Sequence, residues 1–125
     1  TCCAVGLRNV RIIEEEGLVA RAAEVGAYLQ ERVAELRGLP AVGETRGLGM
    51  MAAIELVADR GTRASFDPST KVGTRILRAC IDRGVIVRAR GDVICIAPPL
   101  ITTRAQIDTI AHVLGEAIAE VTRAA

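Results

Sequence analysis

The sequence predicts an α+β domain: a small, mostly antiparallel sheet with helices packed over one face. Three observations carry this. The apolar spacing reads, in order, helix, helix, strand, strand, helix, strand, strand, helix. The link Arg90-Gly91-Asp92 between the last two strands suits a tight reversal. Half of the 125 residues are hydrophobic but only 2% are aromatic (Tyr28 and Phe66), so the interior must be built from Val, Ile, Leu, Ala and Met. That length suits one domain, residues 1–125, around one core.

The elements follow in chain order. Over residues 3–15, Val5, Val10 and Ile13 recur at helical spacing before Glu14-Glu15-Glu16-Gly17 breaks the run. Residues 18–37 form a stronger helix, with Leu18, Ala22, Val25, Leu29, Val33 and Leu36 three or four apart, stopped by Gly38 and Pro40. "VGETRGLGMMAAIELVADRG" (42–61) has helical composition in part, yet its glycines and extended start favour strands at about 42–46 and 50–57. Asp67-Pro68 pairs a cap with a first-turn proline, opening a helix over 68–83 whose inner face is Val72, Ile76, Ala79 and Cys80.

Val85 to Ala89 and Val93 to Ala97 read as two strands linked through Arg90-Gly91-Asp92, where glycine can take positive φ. Asp92 is expected to accept hydrogen bonds within that turn. Pro98-Pro99 cannot continue a central strand. Thr103-x-x-Gln106 is a capping box, and Ile107, Ile110, Ala111, Leu114, Ile118 and Val121 draw the clearest amphipathic face of the chain.

Composition excludes several classes. Net charge is +1 with acids and bases interspersed, so no basic stripe points to nucleic acid. No apolar run reaches membrane-spanning length, and no secretory leader is visible, so the expected compartment is the cytoplasm. Cys2, Cys3, Cys80 and Cys95 have no metal-ligand spacing and His112 is the only histidine, so no metal site is expected. The four thiols are expected to be reduced and mostly buried.

Few residues offer chemistry. Arg88 ends a strand on the same face as Ile86 by the two-residue alternation. A guanidinium is the side chain best suited to bidentate grip of a carboxylate; from position alone, a solvated arginine at a strand end is the plainer reading. Arg90, placed in the turn, reads as solvated. Gly47-Leu48-Gly49-Met50-Met51-Ala52 matches a dinucleotide-binding pattern, but that motif needs a strand before it, a helix after it and an acid about twenty residues on. A polar loop stands where the acid belongs, which favours glycines placed for close strand approach. Lys71 is the only lysine and sits at a helix start without a desolvating environment. His112 lies on a polar helix flank with no nucleophile set around it. On these grounds the chain binds an anion and carries no catalytic set.

Three segments together change that reading. "GLVARAAEVGAYLQERVAEL", "VGETRGLGMMAAIELV" and "RGVIVRARGDVICIAPPLITTRAQID" resemble, in order and over nearly the whole chain, the C-terminal small domain of class III aminotransferases. These are fold-type-I enzymes dependent on pyridoxal phosphate, and the last segment looks most like the ω-amino acid or amine:pyruvate branch. The resemblance implies transfer of an amino group from an amine or ω-amino acid to a keto acid such as pyruvate. It makes Arg88, within V-R-A-x-G-D, the arginine that pairs with the substrate carboxylate. It also implies that the Schiff-base lysine, the aspartate on the pyridine nitrogen and the phosphate-binding residues precede residue 1. The chain would then hold no cofactor and no catalytic residue of its own, would need its large domain as partner, and would belong to a homodimeric parent. Two other readings stand beside it: a free-standing small-molecule-binding or interaction module on the same fold, and a nucleotide-binding fragment built on Gly47 and Gly49.

Overall fold

The computed structural model of the chain describes residues 1–123. Helix α1 (Cys2–Glu15) leads into α2 (Leu18–Glu35) through Gly17, whose φ of +60° turns the chain where other residues would be strained. A short 3-10 turn (Leu36–Gly38) ends α2, and then come β1 (Val42–Leu48) and β2 (Met51–Leu56). A second 3-10 turn (Pro68–Thr70) precedes α3 (Val72–Asp82), followed by β3 (Arg88–Arg90), β4 (Val93–Ile96) and α4 (Arg104–Arg123). The four strands form one sheet in the order β1-β2-β4-β3, and each adjacent pair is antiparallel.

Alternation divides the sheet into two faces. Ala52, Ile54 and Leu56 of β2 and Ile94 and Ile96 of β4 are buried beneath the helices, with Ile54 opposite Ile94 and Ala52 opposite Ile96. Against them pack Val25, Leu29 and Val33 of α2, Val72, Ile76 and Cys80 of α3, and Ile107, Leu114 and Ile118 of α4. The expected inner faces of these three helices are the observed ones, and the core is aliphatic as composition requires. Thr45, a buried polar side chain of β1, has its hydroxyl satisfied by the Arg37 guanidinium, which also donates to the Thr45 carbonyl at 2.8 Å.

Both hairpins turn through two residues that begin with a positive-φ glycine: Gly49 (+55°) between β1 and β2, Gly91 (+57°) between β3 and β4. Helix α2 lies directly on the first turn. A side chain at Gly26 would meet the Gly49 backbone at 2.6 Å, and Gln30 Nε2 donates to the Gly49 and Met51 carbonyls at 2.8 and 3.0 Å. The capping box is reciprocal: Thr103 N donates to Gln106 Oε1 at 2.9 Å, and Gln106 N to Thr103 Oγ1 at 3.3 Å.

The structure corrects the sequence reading in several places. β1 runs on to Leu48 and Met50 lies in the turn. α3 starts at Val72 and not at 68: Asp67 does cap, accepting from Ser69 N at 2.8 Å, but it caps the 3-10 turn. Lys71 then takes φ of +49° and restarts the chain as α3. β3 begins at Arg88 and not at Val85; Val85 and Val87 are buried, so apolarity there reports burial without pairing. Arg90 is the last paired residue of β3 and the turn is Gly91-Asp92. Of the thiols expected to be mostly buried, only Cys80 is; Cys95 is partly covered, and Cys2 and Cys3 are exposed on α1. Helix α1 buries none of its residues, and its main contacts are with α2.

Candidate substrate-recognition site

The face of the sheet turned away from the helices is open. Its rows follow from the register. Arg46 of β1, Ala53 of β2, Cys95 of β4 and Arg88 of β3 are successive cross-strand partners, so they stand side by side on one face. Because Ile94 points into the core, its neighbour Cys95 and the partner Arg88 must point out of it. The next row is Glu44, Glu55, Val93 and Arg90. Beyond the arginine row, towards the other end of the strands, the face turns apolar and exposed at Leu48, Met51 and Ile86.

The two arginines that end the first row differ in their partners. Arg46 Nη1 donates to Glu55 Oε2 at 2.7 Å and lies 3.6 Å from Glu44 Oε2, and the Glu55 carboxylate raises the Arg46 pKa above its already high value. Arg88 makes no ion pair or side-chain hydrogen bond with any other described residue. Between them lie only the small side chains of Ala53 and Cys95. This is a floor over which a planar anion can approach the Arg88 fork without a carboxylate competing from the same row. The face expected for Arg88, shared with exposed Ile86, is the observed one.

The other singled-out residues fall elsewhere. Gly47 is in β1 and Gly49 in a hairpin turn, and a strand, not a helix, follows, so the dinucleotide pattern lacks its required setting. The nucleotide-binding reading is thereby corrected. A side chain at Gly47 would meet the Met51 carbonyl oxygen at 2.3 Å, which accounts for the glycine by close strand approach. His112 is exposed on α4, 3.5 Å from Glu116. It borders a groove on the helical side, where Arg83 pairs with Glu116 and Glu120. Asp92 was expected to hold its own turn. Instead its Oδ2 accepts from Phe66 N, 3.3 Å away on the long loop before α3, a contact across 26 residues that no local pattern announces.

Residues 1–118 match the model of the family "Aminotransferase class-III". The chain belongs to the class III aminotransferases. It is 50% identical, over 98% of its length, to the diaminobutyrate–2-oxoglutarate transaminase of Halomonas elongata, and 44% identical over 86% of its length to the putrescine–pyruvate aminotransferase of Pseudomonas aeruginosa. Among solved structures it superposes on a transaminase from directed evolution by ancestral reconstruction with a TM-score of 0.95, at 47% identity over 99% of this chain. It superposes on the (S)-enantioselective omega-transaminase of Thermomicrobium roseum with a TM-score of 0.91, at 40% identity over 95%. The chain spans only about a quarter of these proteins: 27% and 24% of the two relatives, 28% and 27% of the two structures.

Class III aminotransferases use pyridoxal phosphate, and the described residues do not fit that group by themselves. Its Schiff base requires a lysine, and the only one, Lys71, is exposed at the left-handed start of α3. The open sheet face offers guanidinium groups and no lysine. What the segment does present on its open sheet face is Arg88, a guanidinium unpaired among the described residues, on a paired strand.

Proposed function

We propose that the chain is the substrate-recognising small domain of a pyridoxal phosphate-dependent aminotransferase that moves an amino group from an ω-amino acid or amine to a keto acid such as pyruvate. Arg88 is its reader of the substrate carboxylate. The observation that carries this is the contrast between the two arginines of one row: Arg46 is held by Glu55, while Arg88 is uncommitted beside a floor of Ala53 and Cys95. The relatives support the substrate class, since the acceptors in their names, 2-oxoglutarate and pyruvate, both carry carboxylates.

In this reading pyridoxal phosphate, bound by a separate large domain of the same polypeptide, supplies the electron sink for the transfer. The residues of this chain bind and orient. The Arg88 guanidinium donates two parallel N–H bonds to the carboxylate and fixes which end of the substrate faces the reacting centre. The Arg88 backbone is paired with Cys95 of β4. The chain alone is expected to be inactive. Its parent is expected to be a homodimer in the cytoplasm, and the exposed apolar side of α1, with Val5, Leu7 and Val10, is where the large domain is expected to pack.

Arg88→Ala in the intact enzyme tests the reading. The kcat/KM for an ω-amino acid and for pyruvate should fall by about tenfold to a hundredfold, the span of a charge-assisted hydrogen-bonded pair. That for an amine without a carboxylate should stay within about twofold of the parent enzyme. Equal losses for both substrate kinds contradict the role.

A further inference from the structure

Arg88 sits on the weakest-held strand of the sheet. β3 is three residues long and lies at an edge, so only β4 pairs with it. A three-residue edge strand does not fix a long side chain unless its end is anchored. The structure anchors that end, the Gly91-Asp92 turn, at three points. The Leu56 N–H donates to the Asp92 carbonyl at 2.8 Å. The first turn of α3 rests on the Gly91 carbonyl so closely that a side chain at Gly73 would meet its oxygen at 2.0 Å. The Asp92 carboxylate accepts from the Phe66 N–H at 3.3 Å. The third contact differs from the others because it ties the tip to the loop over 57–67, which has little regular structure of its own: one isolated bridge between Asp59 and Ala64.

We propose that Asp92 is a positioning residue for Arg88: its carboxylate locks the hairpin tip to the Phe66 loop and thereby holds the Arg88 fork in the orientation that receives a substrate carboxylate. This rests on the carboxylate-reading role of Arg88. The backbone contacts at Leu56 and Gly73 do not depend on the Asp92 side chain, so its removal leaves the fold and frees the tip. Asparagine retains an acceptor oxygen for the same N–H, whereas alanine does not.

The experiment is a kinetic comparison in the intact enzyme of Arg88→Ala, Asp92→Ala, Asp92→Asn and the double variant Arg88→Ala/Asp92→Ala. The substrates are pyruvate, one ω-amino acid and one amine without a carboxylate. Asp92→Ala should raise KM for the two carboxylate substrates by about threefold to tenfold, the worth of one ordinary hydrogen bond, with kcat and the carboxylate-free amine unchanged. Asp92→Asn should restore near-parental values. The double variant should behave as Arg88→Ala alone, because a positioning residue has nothing left to position.

Equal damage by Asp92→Ala to all three substrates, or additive loss in the double variant, overturns the proposal while leaving the role of Arg88 intact. If Arg88→Ala itself shows no preference for carboxylate substrates, the reading of Arg88 fails and the positioning role falls with it. Should Asp92→Ala not fold, hydrogen exchange on the parent enzyme decides. By linkage, saturating propionate should slow exchange in the peptide spanning residues 64–67, and an unchanged rate there overturns the proposal.

Discussion

At the scale of single residues, the account rests on what each side chain touches. Arg88→Lys keeps the charge but loses the planar fork, so carboxylate substrates should be recognised several-fold less well than by the parent yet better than by Arg88→Ala; steady-state kinetics on the three enzymes checks that order. The pKa of Asp59 is lowered by hydrogen bonds from the Thr62 backbone and side chain, and that of Asp67 by hydrogen bonds from the Ser69 side chain and backbone N–H. A depressed carboxylate stabilises the folded state above the unfolded carboxylate pKa, and the benefit is lost as pH falls through the lower folded value. Melts of the purified chain should therefore weaken progressively below about pH 4, and Asp67→Asn should show a shallower acid slope. Cys80 works in the opposite sense. Burial raises its thiol pKa, so above the ordinary thiol range only the unfolded chain ionises and stability declines with rising pH. The role proposed for Arg88 comes from the V-R-A-x-G-D resemblance, because a strand-end arginine has no local signature. The Asp92–Phe66 contact was not legible at all, since it depends on where a 26-residue excursion returns.

Elements are fixed by periodicity where one face is buried, and that is where the sequence was readable. α2, α3 and α4 each repeat apolar residues every three or four positions, and most positions named from that spacing lie in the core, with Ala22 and Ile110 partly buried against it. Errors gathered at ends and edges. Val85 and Val87 alternate like a strand and are buried but lie outside β3; the Val85 N–H donates to the Cys80 carbonyl at the end of α3. Pro68 promised one helix where Lys71, at φ of +49°, divides two. Which sheet face the helices cover, and hence which face Arg88 shares with Arg46, required the register. The contact of α2 with the first hairpin gives a test at this scale. Gly26→Ala should push its methyl into the Gly49 backbone and cost about 1–3 kcal/mol, as overpacking does. Urea denaturation of the chain would read this as a lower midpoint at unchanged slope.

At the scale of the molecule, two surfaces stand exposed. One is α1, which presents Val5, Leu7 and Val10 at 65%, 54% and 51% exposure and covers nothing. Apolar surface of that kind associates, so the isolated 13.2 kDa chain should sediment with an average mass that rises with concentration, and Val5→Glu/Val10→Glu should return it to the monomer. The other is the open sheet face, where one free guanidinium stands in a row whose other arginine is neutralised. Composition shows a single lysine, Lys71, and the structure places it exposed at the start of α3. The measurement that tests this account most directly is inhibition of the amine half-reaction of the intact enzyme by propionate, with a carboxylate-free amine as donor, in the parent and in Arg88→Ala. Competitive slowing of the parent that is lost in Arg88→Ala is the predicted result, and equal inhibition of the two enzymes would contradict a carboxylate site at Arg88.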